Sequence, residues 1–386
     1  MNSTKLLMVF ILLNFFKELV AGQLLQPVEY LNTTGAREVT PFTLNNEHYL
    51  AVAQLAKDIP NTAPSMVGGD ADVDVVIFKR ENGAFVEHQR IPSHGNEGAR
   101  FFSIGDQSYL AIASIHSGPK PPFNFKTYSM IYRWDGRYFY PIQQIYTYAA
   151  KQAYSFSIGK RHFLALANGV LPPNETKPTD ETNSKIYEWD GQKFVLFQTI
   201  SSSWGYSFKA FQIDDAFFLA FADNLNKSTL YRWEGNQFKS YQDFLGGGGR
   251  AFEFFTIQNE HYLAFANLLT DSVLYKWDGK QFQKEQVLEG AGGRNFTHFQ
   301  YNNKHYLMRI NFITGGRETP KTNLESPLYQ WNNDKWVEVD TIPTFGGVSA
   351  HVFKMDNSLF LAVANSLSKD SRFKVNSVIY KVLDRQ

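Results

Sequence analysis

Short apolar runs, separated by pairs of Asn, Asp and Gly, follow one another along almost the whole chain. The best preserved run is an aromatic residue followed by Leu-Ala-x-Ala. It reads Tyr49-Leu50-Ala51-Val52-Ala53, Tyr109-Leu110-Ala111-Ile112-Ala113, Phe163-Leu164-Ala165-Leu166-Ala167, Phe218-Leu219-Ala220-Phe221-Ala222, Tyr262-Leu263-Ala264-Phe265-Ala266 and Phe360-Leu361-Ala362-Val363-Ala364, with a worn copy at Tyr306-Leu307-Met308-Arg309-Ile310. A Phe precedes each aromatic at constant distance: Phe42, Phe102, Phe156, Phe211, Phe255, Phe299 and Phe353. These Phe residues are 44 to 60 residues apart.

Two further elements belong to the same unit. One is Tyr-x-Trp with a turn pair, as in Tyr132-Arg133-Trp134-Asp135-Gly136, Tyr187-Glu188-Trp189-Asp190-Gly191 and Tyr275-Lys276-Trp277-Asp278-Gly279. The first copy is degenerate (Phe78-Lys79-Arg80), and the last, Tyr380-Lys381-Val382, meets the end of the chain. The other is an aromatic followed by Gln: Phe139 and Gln143, Phe194 and Gln198, Phe238 and Gln242, Phe282 and Gln286. Pairs such as Asn45-Asn46, Gly105-Asp106, Asp214-Asp215 and Asn302-Asn303 tolerate the positive φ of two-residue hairpins. Each unit therefore reads as a four-stranded antiparallel meander, and the period is that of propeller blades. The expected fold is all-β, a seven-bladed β-propeller of four-stranded antiparallel blades. The seventh unit lacks a fourth strand. Leu25 fits the aromatic site and Glu29 the Gln site, so residues 25–31 are expected to complete the last blade and remove its open edge.

The first-strand Phe, Tyr-Leu-Ala-x-Ala, Ile-Tyr-x-Trp-Asp-Gly and the trailing Gln together resemble the EAR/EPTP (epilepsy-associated, or epitempin) repeat. The resemblance spans residues 23–386. It implies a seven-bladed propeller and extracellular protein recognition. The leucine-rich glioma-inactivated proteins of this family carry such a ring behind leucine-rich repeats and bind disintegrin-metalloprotease-like receptors on neurons. No leucine-rich repeats occur in this sequence, which is expected to hold only a signal and a ring, so no neuronal partner is carried over.

Lys5, the apolar run Leu6–Leu13 and the small residues Val20-Ala21-Gly22 form the three regions of a signal peptide. Residues 1–22 are expected to be removed on secretion. There is no Cys, which excludes disulfides, thiol nucleophiles and Cys-based metal sites. Lys+Arg 38 against Asp+Glu 37 leaves no footprint for nucleic acid or an acidic membrane. Asn32, Asn174, Asn226 and Asn295 open N-glycosylation sequons and are expected in surface loops.

Function is expected on the face carrying the connections between second and third strands, which are long at Gln54–Val73, Ser114–Tyr128, Asn168–Asn183 and Asn311–Ser326. Two of these are stiffened, at Pro119-Lys120-Pro121-Pro122-Phe123 and Leu171-Pro172-Pro173. Arg37, Arg250 and Arg294 share one place before the repeated Phe. They either ring the channel mouth and grip an acidic group or pair the blades structurally. Asp70, Asp72 and Asp74 alternate beside a glycine pair, as ligands of a Ca²⁺ ion or as a solvated acidic loop. No other cofactor is expected. The leading reading is a secreted ligand, adhesion or matrix protein whose partner is a cell-surface ectodomain or matrix component. The alternative is a glycan-binding or glycan-cleaving propeller, for which Glu38, Glu97, Glu289 and His94 are the acid–base candidates. No nucleophile elbow, His-Glu-x-x-His or phosphate loop is present, so the chain is expected not to be an enzyme.

Overall fold

A computed structural model of the chain describes residues 23–169 and 179–384. The expected signal segment at 1–22, Leu171-Pro172-Pro173 and the sequon at Asn174 lie outside the described residues. Within them, 28 strands form seven four-stranded antiparallel sheets. The first strand of each repeat is innermost: Ala36–Leu44, Asn96–Ile104, Ala150–Ile158, Gly205–Ile213, Gly249–Ile257, Gly293–Tyr301 and Gly347–Met355. Each inner strand contacts the next, and the seventh returns to the first, so the blades surround a central channel.

The hairpins are of the expected kind. Asn45 and Asn46 have φ of 51° and 63°, and Asn302 and Asn303 have 47° and 58°. This left-handed twist suits two-residue turns, and Asn tolerates it best after Gly.

The Leu-Ala-x-Ala run is buried on both faces. Leu50, Ala51, Val52 and Ala53 are all fully enclosed. Side chains alternate along a strand, so one face is large and the other small. Ala51 and Ala53 of blade 1 meet Leu110 and Ile112 of blade 2. Ala111 and Ala113 meet Leu164 and Leu166 in turn. The small face of one blade thus admits the large face of the next. The worn copy breaks this rule on the small face, where Met308 and Ile310 replace the alanines, and its large face carries Arg309, whose guanidinium donates to the carbonyls of Leu288 at 2.9 Å and Glu289 at 2.8 Å. The repeated Trp performs a second inter-blade task. Trp134 lies edge-on to Tyr49 of the preceding blade at 5.7 Å, and Trp233 to Phe163 at 5.8 Å.

The trailing Gln has a specific role. Gln143 of blade 2 donates to the Phe194 carbonyl at 2.7 Å and accepts from the Phe194 amide at 2.8 Å. Gln89, Gln198, Gln242 and Gln286 grip Phe139, Phe238, Phe282 and Trp336 in the same way. An amide carries one acceptor and two donors side by side, so it reproduces one rung of a β-ladder. The outer strands are thereby joined from blade to blade without a disulfide.

Ring closure follows the sequence expectation. Leu25–Leu31 pairs antiparallel with Ser377–Val382, with Leu25 opposite Val382 and Leu31 opposite Ser377. Leu25 and Leu31 are buried, each worth about 2 kcal/mol of apolar transfer.

Candidate functional site

The second residue of every inner strand is the extra residue of a β-bulge. In blade 1 the register passes from Ala36 opposite Gln54 directly to Glu38 opposite Ala53, leaving Arg37 unpaired. The same step occurs in the other six blades, at Glu97, Lys151, Tyr206, Arg250, Arg294 and Val348. A bulge re-aims its side chain out of the sheet plane. All seven residues line the channel cavity, whose volume is about 300 Å³. Close packing behind them explains the glycines that precede the arginines. A Cβ on Gly249 would sit 2.5 Å from Ser228 Oγ, and one on Gly293 would sit 2.6 Å from Ser272 Oγ.

Charge within this ring is unbalanced. Glu97 supplies its only carboxylate, and Arg37, Lys151, Arg250 and Arg294 supply four cations. Lys151 Nζ donates to Glu97 Oε1 at 2.8 Å. Arg37 Nε lies 3.8 Å from the same oxygen, and Arg294 reaches across the ring to within 3.5 Å of Oε2. Burial alone would raise the Glu97 pKa. Lys151, Arg37 and Arg294 outweigh it and hold the carboxyl down at about 2. Tyr206 lies under the Arg250 and Arg294 guanidinium groups, 4.0 and 4.6 Å from its ring centre. Enclosure opposes its ionisation, but Arg250, Lys151 and Arg294 prevail and bring it down to about 8. Burial, with repulsion from Arg294, takes Arg250 down to about 10, so it stays charged at neutral pH. Arg250 also donates to Asn224 Oδ1. Arg37 Nε is buried and makes no hydrogen bond.

Above the ring lies a vestibule of about 200 Å³, floored by these charges and walled mostly by apolar side chains, with His116 and Arg317 among them, the latter over the Trp204 ring at 5.0 Å. The long connections supply most of the wall. Leu55 and Met66 come from the first, Phe123 and Phe125 from the second, and Phe312 and Ile313 from the connection in blade 6. Backbone hydrogen bonds lace this face from blade to blade: Gly248 to Asn224, Leu268 to Gly248, Gly292 to Leu268 and Phe312 to Gly292.

The structure brings Arg37, Arg250 and Arg294 together at the channel mouth. It adds Lys151 and Tyr206, which the sequence reading passed over, and Glu97, which it weighed only as an acid. Their common distance before the repeated Phe was the signal for all of them. The three Asp residues do not form a shared oxygen cage. Asp70 turns to Lys57 at 3.1 Å, Asp72 accepts from His94 at 2.8 Å and from the Gly118 amide at 3.1 Å, and Asp74 lies 3.5 Å from Arg90. Among the described residues no group of three or more His, Cys, Asp or Glu side chains could hold a metal ion. Each acid has a separate cation or donor.

Asn32 and Asn226 are exposed in loops, as expected. Asn295 is a correction. It stands in the inner strand of blade 6 and lines the channel, and its Oδ1 accepts from the Ala350 amide at 3.3 Å. The acid–base candidates do not assemble either. Glu97 is neutralised in the ring. Glu38 is pulled down despite burial, by His351 and by the Ala99 amide at 2.9 Å. His94 pairs with Asp72 on the outer face, and Glu289 is exposed. A general acid needs a raised pKa, and Glu38 and Glu97, the two candidates that line the channel, are both lowered.

The EPTP domain pattern matches residues 25–67, 84–135, 139–190, 193–234, 237–278 and 335–381, together more than half of the chain. The unmatched stretch before residue 335 contains the worn copy with Arg309, yet folds as a blade like the others. Among curated proteins, the chain is similar to the human thrombospondin-type laminin G domain and EAR repeat-containing protein, with 30% identity over 172 residues, 44% of this chain and 24% of that protein. The mouse protein of the same description is 31% identical over 154 residues, 39% of this chain and 22% of that protein. The chain thus matches about a quarter of the length of these relatives.

Proposed function

The chain belongs to the EPTP domain family, and from that premise we propose that it is a secreted, extracellular protein-binding module that engages a cell-surface ectodomain or matrix protein through the loop face of the ring. The observation that carries this reading is a group of aliphatic side chains left in water on that face. Leu245 is 86% exposed, Leu269 63% and Leu225 48%. They cluster around the turn at Gly246 to Gly248. Leu225 and Leu245 line one groove with Gly246 and Gly247, and Gly248 packs against Leu269. Single exposed leucines are ordinary, whereas a cluster on a rigid scaffold marks an interaction surface. The ordered belt of backbone hydrogen bonds beneath them lowers the entropy lost on docking. The lowered pKa of the two acid candidates in the channel, Glu38 and Glu97, favours binding over hydrolysis.

The test displays residues 23–384 as a multimer, so that avidity reports weak partners, against a panel of ectodomains and matrix proteins. A saturable protein partner, lost in Leu245→Asp and Leu269→Asp variants that keep the wild-type circular dichroism, is the expected result. Binding confined to glycans would overturn it in favour of a lectin.

A further inference from the structure

We propose that the charged ring and the vestibule above it form a site for a small organic carboxylate, its anionic end among Arg37, Lys151, Arg250 and Arg294 and its apolar body against Phe312, Trp204 and Leu268. This goes beyond the reading of the outer face, because the ring is enclosed and none of its charged residues belongs to the exposed leucine group.

Three observations carry it. The first is charge. Glu97 offsets one of four cations, of which Arg37, Lys151 and Arg250 are buried and Arg294 is largely so, and on the vestibule side the walls above them are mostly apolar. Buried charge without a partner is strongly unfavourable. An anion in the ring removes that cost. The second is unmet hydrogen bonding. Arg37 is 7% exposed and its Nε has no acceptor. Trp204, in the vestibule wall, also has a buried Nε1 without one. Guanidinium forks match carboxylate geometry. The third is the chemistry of the space above. Leu55, Ile115, Phe125, Leu268, Phe312 and Ile313 would strip the hydration of an inorganic dianion without replacing it, whereas an aliphatic or aromatic body gains from that contact. The volume of about 200 Å³ equals about seven water-sized groups, which suits an acid of the size of phenylacetate or hexanoate.

Tyr206 makes the site report on itself. Its phenol is faced by Arg250, Arg294, Lys151, Arg37 and Glu97. With a pKa of about 8 it is largely neutral near pH 7 and ionised near pH 9. The phenolate places a negative charge in the ring, so bound acid and phenolate compete. Acid affinity therefore falls as pH rises through 8, and bound acid raises the Tyr206 pKa.

The experiment is titration calorimetry of residues 23–384 with phenylacetate, hexanoate, phenylacetamide and sulfate, near pH 7 and near pH 9. Saturable binding of both acids is expected, about tenfold or more tighter than the neutral amide and tighter than sulfate. Arg250→Gln is expected to weaken the acids by about tenfold or more. Tyr206→Phe removes the titrating group from the ring; whatever its affinity near pH 7, it is expected to keep that affinity near pH 9, where wild type loses it. The leucine variants of the outer face leave all of this unchanged. No saturable heat with either acid, equal affinity for acid and amide, preference for sulfate, or a wild-type affinity that does not change with pH overturns the proposal.

Discussion

Glu29 holds Arg80 at 2.6 Å with one carboxylate oxygen and accepts from the Phe85 amide at 2.6 Å with the other. Both residues are departures from the repeat at the same joint. Glu29 stands where blades 1 to 5 have the Gln that grips its neighbour (blade 6 has Asp340, which accepts from the Leu24 amide at 2.7 Å), and Arg80 stands where blades 2 to 6 have Trp. A carboxylate cannot donate to the Phe85 carbonyl as an amide would. It gains instead the guanidinium, which lies over the Phe85 ring at 5.1 Å, much as Trp134 lies over Phe139 at 5.0 Å. The last blade is therefore locked to the first by an ion pair in place of an amide clasp.

The two departures should be coupled. Glu29→Ala removes two interactions of a partly buried group and is expected to cost about 2 kcal/mol, as is Gln143→Ala at a regular joint. Glu29→Gln alone strands Arg80. Glu29→Gln with Arg80→Trp restores the pattern of the other blades and should recover most of the loss. Urea unfolding of the single and double variants measures the non-additivity.

Glu97 should govern acid stability. Its pKa falls from the ordinary 4.5 to about 2 in the fold, so the fold favours the ionised form. That stability is fully present above about pH 4.5 and lost as pH falls toward 2. It amounts to about 3 kcal/mol. Glu97→Gln is expected to lose it at neutral pH and to show a flatter acid limb in urea midpoints measured against pH.

His298 should act in the same direction through a base. Burial, with His305 and Lys209 nearby, lowers it to about 3, so it is neutral in the fold. The unfolded chain takes up the proton near pH 6.5, and stability falls below that value. Phe254 holds the same strand position in the preceding blade. His298→Phe is expected to move the acid unfolding midpoint, followed by tryptophan fluorescence, to lower pH, with a gain of about 3 kcal/mol near pH 4.

The ring architecture was legible because each blade repeats the same physical problem. The large–small faces of Leu-Ala-x-Ala, the positive-φ hairpin pairs and the Leu25 and Glu29 match all state local requirements that recur seven times. The site was half legible. Arg37, Arg250 and Arg294 stood out because they are alike. Glu97, Lys151 and Tyr206 occupy the same position but differ in chemistry, and only their convergence across the channel makes them one cluster. The bulge that aims them leaves no residue signature of its own. The Asp70, Asp72 and Asp74 spacing left two readings open because it does not show that each carboxylate finds a partner from elsewhere in the sequence. Asn295 misled because its sequon begins two residues after the strand starts.

Glycosylation should divide accordingly. Expressed through a eukaryotic secretory route, the chain is expected to carry a glycan at Asn32 and none at Asn295, whose side chain is held inside the channel, and, because Asn226 lines the groove of Leu225 and Leu245, to bind its partner in the fraction unglycosylated at Asn226. Site-resolved mass spectrometry of peptides treated with glycosidase in heavy water reads each occupancy directly.

The pairing of Leu25 with Val382 also dictates when the molecule can finish folding. A strand near the start of the described chain must wait for the last-made hairpin, and closing so long a loop costs on the order of 5 kcal/mol in chain entropy. Such long-range pairing is slow. Until it occurs, the seventh blade offers an open edge, and any other copy offers the missing strand in the same register. At high concentration during refolding, exchange of residues 25–31 between two chains competes with self-closure, and the product is a swapped dimer whose joints are chemically identical to those of the monomer.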